Sequence, residues 1–141
     1  MDFLPEYTKQ AEENLSKSIK LMPTKREAWD ALGHVYWKKN DLHQAKKCFE
    51  GSLEQDENNK VALRQLSMIY RMITTNSNGD RLDADERKKN FAHSIKLATQ
   101  AVGIDMADSQ NWYVLGNAHL TNFFQNDEST KELESALKAY A

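Results

Sequence analysis

Apolar residues along the chain recur at helical spacing, and polar punctuation separates the runs. Tyr7, Ala11, Leu15 and Ile19 lie four apart, which predicts an amphipathic helix from about Pro5, a favourable helix start, to Leu21. Trp29, Leu32 and Tyr36 fall at i, i+3 and i+7 and share one face of a second helix, capped by Thr24 and ending near Asn40. Asp41 opens a third, with Leu42, Ala45, Phe49 and Leu53 inward. A fourth runs from about Asn59 through Met72. Between Thr74 and Asp80 the pattern breaks into a polar, turn-rich stretch that reads as mobile. A fifth helix resumes by Asp85 and carries Phe91, Ile95, Ala98 and Val102. The sixth holds Trp112 to Phe124, and a polar gap from Gln125 to Thr130 precedes a last helix over Lys131–Ala141. Every element is helical.

The typed positions recur. Trp29-x2-Leu32-Gly33-x2-Tyr36 with Ala45-x3-Phe49 pairs a side-chain-free position on one helix with a small residue and a ring on the next. Leu63, Leu66, Ser67 and Tyr70 repeat the first half 34 residues on, with Ser in place of Gly. Trp112-x2-Leu115-Gly116-x2-His119 repeats it again, 83 residues after Trp29, so the intervening repeat carries about 15 extra residues. Ala136-x3-Tyr140 matches Ala-x3-Phe. This pattern resembles the tetratricopeptide repeat (TPR), a 34-residue helix–turn–helix unit. The resemblance implies an all-α, right-handed solenoid of antiparallel helix pairs. Its frame makes residues 1–25 the second helix of a preceding repeat, 26–59 a full repeat, 60–108 a repeat with a long insertion, and 109–141 an incomplete third. Pro23 falls between repeats, where a helix cannot continue. No polar capping helix closes the last repeat, so the chain reads as part of a longer protein.

A chain of 141 residues holds one domain of three to four helix pairs. No apolar run approaches a membrane span, and Pro5 and Glu6 interrupt the one candidate leader. The single cysteine cannot form an internal disulfide, which fits a reducing cytoplasmic or nuclear location. The net charge of −2 excludes nucleic-acid binding by bulk charge, though not by a local patch.

The TPR resemblance implies that five positions of each first helix face a concave groove. Here they are Glu27, Asp30, His34, Trp37 and Lys38; then Val61, Arg64, Met68, Arg71 and Met72; then Gln110, Tyr113, Asn117, Leu120 and Thr121. Arg64 and Arg71 lie seven apart, two helical turns, so both can face one groove. Arginine suits fork-like bonding of a carboxylate, and flanking Met68, Met72, Trp37 and Tyr113 suit apolar neighbours. A short peptide with an acidic residue between apolar ones fits that set. The alternative is that the arginines simply pair with local acids.

Finer strings narrow the resemblance. TPR domains that clamp chaperone tails carry Lys and Asn at the positions of Asp30 and His34, and Asn again at Met68, so this chain departs from them. The run Glu27–Lys39, Cys48-Phe49-x-Gly51, Leu66-Ser67-Met68-x2-Arg71 and Trp112-Tyr113-x-Leu115-Gly116-Asn117 is similar to a eukaryotic branch of TPR scaffolds. That resemblance implies binding of the N-terminal Met-Arg-Glu-Ile peptide of nascent tubulin on the ribosome, in tubulin autoregulation, or bridging of transcription coactivators in stress responses. It implies a peptide contact for Arg71 and a ribosome contact for Lys20, in Ser16-Lys17-x2-Lys20-Leu21, with Lys17 beside it.

Other chemistry finds little support. His34, His43, His93 and His119 lack paired metal spacing, and Cys48 has no second thiol. Asn76-x-Asn78-Gly79 with Asp85 is a poor match to a calcium loop, with Thr74 first and Asp in place of the last Glu. No phosphate-cradling loop and no nucleophile–base pair is present, so no catalytic residue, metal or cofactor is expected. Two readings stand: a peptide-binding scaffold using Arg64 and Arg71, and a ribosome- or RNA-docking module using the basic first helix (Lys9, Lys17, Lys20). Oligomeric state is open.

Overall fold

The computed structural model describes residues 5–127 and 130–141, with side chains over 8–125 and 133–141. Its helices are α1 (Pro5–Leu21), α2 (Arg26–Lys38), α3 (Leu42–Gln55), α4 (Lys60–Met72), α5 (Ala84–Ile104), α6 (Ser109–Asn122) and α7 (Thr130–Tyr140). A π-helical turn, Phe123–Asp127, follows α6. The chain forms two compact units, Met1–Ala62 and Leu63–Ala141, with the boundary inside α4.

In the first unit α1 packs on α2 and α2 on α3. Ala11, Leu15 and Ile19 are half-buried, and the side chain of Tyr7 lies outside those described. The α2/α3 pair closes around Phe49, which is fully buried. A Cβ added at Gly33 would stand 2.8 Å from the Phe49 ring, and one at Gly51 2.6 Å from the Trp29 ring. Both glycines therefore let rings lie directly against backbone. Trp29 Nε1 donates to the Pro23 carbonyl at 2.8 Å, fixing the turn before α2. Thr24 is not the cap expected of it: Lys25 occupies that position and supplies no side-chain bond. Asp41 does cap α3, accepting from Gln44 N at 3.2 Å. Glu12 on α1 accepts from Tyr36 Oη at 3.0 Å and Lys39 Nζ at 2.6 Å. Lys39 and Tyr36 hold that carboxyl below the usual range, while burial and Glu12 push the Tyr36 phenol up to about 12.

The second unit solves its first crossing differently. Ser67 and Ser94 are both fully buried on α4 and α5. Ser67 Oγ donates to the Ser94 carbonyl at 2.8 Å, Ser94 Oγ donates to the Ser67 carbonyl at 2.7 Å, and the hydroxyls lie 2.9 Å apart. The buried face of α5 comprises Phe91, Ser94, Leu97, Ala98, Ala101 and Val102, whereas Ile95 is only half-buried. The α6/α7 pair returns to the glycine arrangement: a Cβ at Gly116 would meet the Tyr140 ring at 2.7 Å. Ala98, Val102, Val114, Leu115 and Ala139 form one cluster, with Met68, Ile95 and Trp112 packed against it.

The extra residues of the second repeat have a location. The connection after α4 is 11 residues against three after α2, and α5 has 21 residues against 14 in α3, which accounts for all 15. The long connection carries hydrogen bonds of its own. Thr75 bridges Arg81, Asn76 N donates to the Asp80 carbonyl at 2.8 Å, and Asn76 Oδ1 accepts from Asn78 N and Asp80 N. Asp83 and Glu86 then form a capping box at the start of α5. Of the polar gap expected over Gln125–Thr130, Glu128 and Ser129 lie outside the described residues.

Two contrasts test this packing. Trp29→Ala is expected to cost about 3–5 kcal/mol, as for a large ring removed from a helix pair, while exposed Lys38→Ala stays within about 0.5. Gly33→Ala should cost about 1–3 kcal/mol, because the buried Phe49 ring cannot yield. Gly103→Ala, with nothing within 4 Å of the added methyl, should instead stabilise by up to about 1 kcal/mol. Urea unfolding checks all four variants. Equal responses at the two glycines would refute the close-approach account.

Candidate functional site

Among the expected groove residues, His34, Trp37 and Lys38 belong to the first unit, and Arg64, Met68, Arg71, Tyr113 and Asn117 to the second. His34 is exposed and sits edge-on to Phe49, with ring centroids 5.3 Å apart. Trp37 is half-buried and Lys38 exposed. Asp30 accepts from Asn59 Nδ2 at 2.8 Å through one oxygen, and its other oxygen is buried with no hydrogen-bond partner.

Arg64 and Arg71 part company. Arg64 NH1 donates to Asp108 Oδ2 at 3.0 Å and to Asn111 Oδ1 at 2.7 Å, and its side chain is only 14% exposed. Asp108 meanwhile caps α6 by accepting from Gln110 N. Asn111, fully buried, donates to the carbonyls of Ala101 and Asp105, both at 2.9 Å. Arg64 is therefore a tether between α4 and the α5–α6 turn, and the expectation that it joins Arg71 in receiving a ligand is corrected. Nothing in sequence spacing marked Asp108 and Asn111 as its partners, 44 and 47 residues away. Met68 is half-buried and packs against the α5–α7 cluster.

Arg71, in the last turn of α4, has no such partners among the described residues. It is half-buried, and its Nε is buried with no hydrogen-bond partner. Burial lowers its pKa, partly offset by Tyr140; an arginine still keeps its charge. Tyr140 is the residue that sequence reasoning missed as functional, since it fills the core position of Phe49. Its hydroxyl, absent from Phe, was the available signal. Tyr140 Oη donates to Asn117 Oδ1 in a short hydrogen bond, and its ring centroid lies 6.0 Å from that of Tyr113. Burial and Tyr113 raise the phenol's pKa while Arg71 lowers it. Asn117 and Tyr113 thus meet at Tyr140, which also interacts electrostatically with Arg71. An open cleft of about 510 Å³ adjoins, lined by residues that include Trp112, Tyr113, Ala139 and Tyr140.

Lys17 and Lys20 stand exposed on α1, Lys20 in its last turn. Burial and nearby acids push the Cys48 thiol up to about 11, which disfavours thiolate chemistry. Among the described residues no cluster of three or more His, Cys, Asp or Glu could hold a metal, and no helix is long and apolar enough to cross a membrane.

Comparison with known proteins agrees with this architecture. Residues 27–59 match the family model described as Tetratricopeptide repeat. Over 141 residues the chain is 42% identical to Tetratricopeptide repeat protein 5 of Bos taurus, 41% to that of Mus musculus and 40% to that of Homo sapiens. Each alignment takes the whole of this chain and 30% of the relative, so the chain spans under a third of those proteins' length. The chain is an all-α tetratricopeptide helical repeat, an architecture of protein-interaction scaffolds.

The separation of the two arginines is measurable. Arg64→Ala should destabilise the second unit by about 1.5–3 kcal/mol, the range for charged hydrogen bonds, because it also orphans buried Asn111 Oδ1. Arg71→Ala should leave the midpoint nearly unchanged or raise it. Thermal melts of both variants check this, and equal losses would remove the distinction.

Proposed function

We propose that this tetratricopeptide-repeat chain is a non-catalytic scaffold that binds a short peptide through an acidic residue held by Arg71. The observation that carries the reading is a half-buried guanidinium without a carboxylate: among the described residues no ion pair engages Arg71, and its Nε is unsatisfied. A buried charge left unpaired costs free energy that an incoming anion recovers. A planar fork favours a carboxylate in two-point contact. Tyr113, 60% exposed and with its ring centroid 6.0 Å from that of Tyr140, offers ring surface for a neighbouring apolar side chain.

The resemblance to Tetratricopeptide repeat protein 5 supports a finer choice of ligand, the Met-Arg-Glu-Ile start of nascent tubulin, ahead of a stress-response coactivator. Calorimetry with that peptide tests the reading. Arg71→Ala should weaken binding roughly 10- to 150-fold, the equivalent of about 1.5–3 kcal/mol, and a Glu→Gln peptide should lose a similar factor against wild type. Equal affinity of wild type and Arg71→Ala would overturn the proposal.

A second reading rests on α1. Lys17 and Lys20 lie one turn apart, exposed and without an ion-pair partner among the described residues, whereas Lys39 is tied to Glu12. They suit docking on ribosomal RNA, in the cytoplasm. Lys20→Glu should then reduce ribosome co-sedimentation and make what remains less sensitive to salt, while peptide binding stays unchanged. Unaltered co-sedimentation would refute it.

A further inference from the structure

Tyr140 does two unrelated things with one side chain. Its ring fills the space left by Gly116, as Phe49 does at Gly33, and there a phenylalanine would serve as well. Its hydroxyl donates to Asn117 Oδ1. With the amide oxygen engaged, the Asn117 amide can turn over only by breaking that bond. Asn117 Nδ2 carries two donors with no partner among the described residues, and the Thr121 hydroxyl uses the Asn117 backbone carbonyl instead. Arg71, interacting electrostatically with Tyr140, is also donor-only. Asn117 Nδ2 and Arg71 thus both present hydrogen-bond donors.

We infer that Tyr140 is a positioning residue that locks the Asn117 amide with its NH2 toward the ligand, so that the site reads a carboxylate together with a main-chain carbonyl of an extended peptide. This rests on the reading of Arg71 as the carboxylate receptor and adds a second, neutral contact to it. Without the phenol, the amide turns freely and offers its oxygen part of the time, which repels a carbonyl. Selectivity follows: an acidic side chain alone satisfies Arg71, but only a peptide backbone satisfies Asn117 as well.

The test is a double-mutant cycle on the intact chain with the Glu-containing peptide. Tyr140→Phe, which keeps the ring against Gly116, should weaken binding about 2- to 10-fold, the effect of one neutral hydrogen bond. In an Asn117→Ala background the same change should have no further effect. Wild-type affinity in Tyr140→Phe, or an undiminished loss in the Asn117→Ala background, would overturn the inference. A ligand-free readout separates this from the proposed function. The Asn117 side-chain amide should give one resolved NMR pair in wild type and a shifted, exchange-broadened one in Tyr140→Phe. Identical signals would overturn the inference even if no peptide binds, whereas absence of peptide binding with the expected amide change would fault the peptide reading alone.

Discussion

Close approach of a backbone without a side chain to an aromatic ring is the constraint on which these helix pairs depend. Gly33 admits Phe49, and Gly116 admits Tyr140, each with room for the ring and none for a methyl group. The α4/α5 crossing lacks the glycine and therefore lacks the ring. Ser67 could not face a phenylalanine without burying an unsatisfied hydroxyl, at a cost of about 1–3 kcal/mol. Its partner is Ser94, and each hydroxyl donates to the other's backbone carbonyl. The two solutions do not mix. A glycine opposite Ser94 would leave a void, and a serine opposite Phe49 a clash.

The turns between pairs obey a second rule that settles which polar residues remain free. Trp29 Nε1 and Trp112 Nε1 each donate to a carbonyl six residues back, both at 2.8 Å. Buried Asn59 donates to the Asp30 and Ser52 side chains on α2 and α3, and buried Asn111 to the Ala101 and Asp105 carbonyls at the end of α5. In the second unit that arrangement calls for a cation, because Asp108 and the Asn111 oxygen both need a donor, and Arg64 supplies it. Helix α4 thus carries two arginines of opposite status. Arg64 completes the architecture, whereas Arg71 Nε is buried with no hydrogen-bond partner among the described residues.

Periodicity made most of the fold legible in the sequence, because Trp29, Leu32, Gly33 and Phe49 are fixed by local geometry that repeats. The Asp41 cap and the start of α1 followed from the same local rules. The Thr24 cap did not, since Trp29 already holds that turn through the Pro23 carbonyl and the helix begins a residue later than a Thr24 cap requires. The internal bonding of the stretch over 74–83 was not legible from its polar composition. That bonding comes from Asn76 accepting two backbone bonds, a property of one residue's place in a turn. The candidate site was half legible. Seven-residue spacing put Arg64 and Arg71 on one face, but spacing along one helix is silent about Asp108, which arrives from 44 residues away.

Tyr140 shows why such a site resists reading from pattern alone. As a ring it satisfies the same rule as Phe49, so the pattern assigns it to packing and stops there. The hydroxyl becomes informative only beside Asn117, which the fold, not the sequence interval of 23 residues, brings within reach. Because one ring both fills the space against Gly116 and carries the hydroxyl that turns the Asn117 amide, packing and recognition share an atom set but not an atom. Loss of the whole side chain removes both, and loss of the oxygen removes only the second. The proposed recognition chemistry is therefore separable from stability at this position, as it is at Arg71, whereas Arg64 serves the architecture alone.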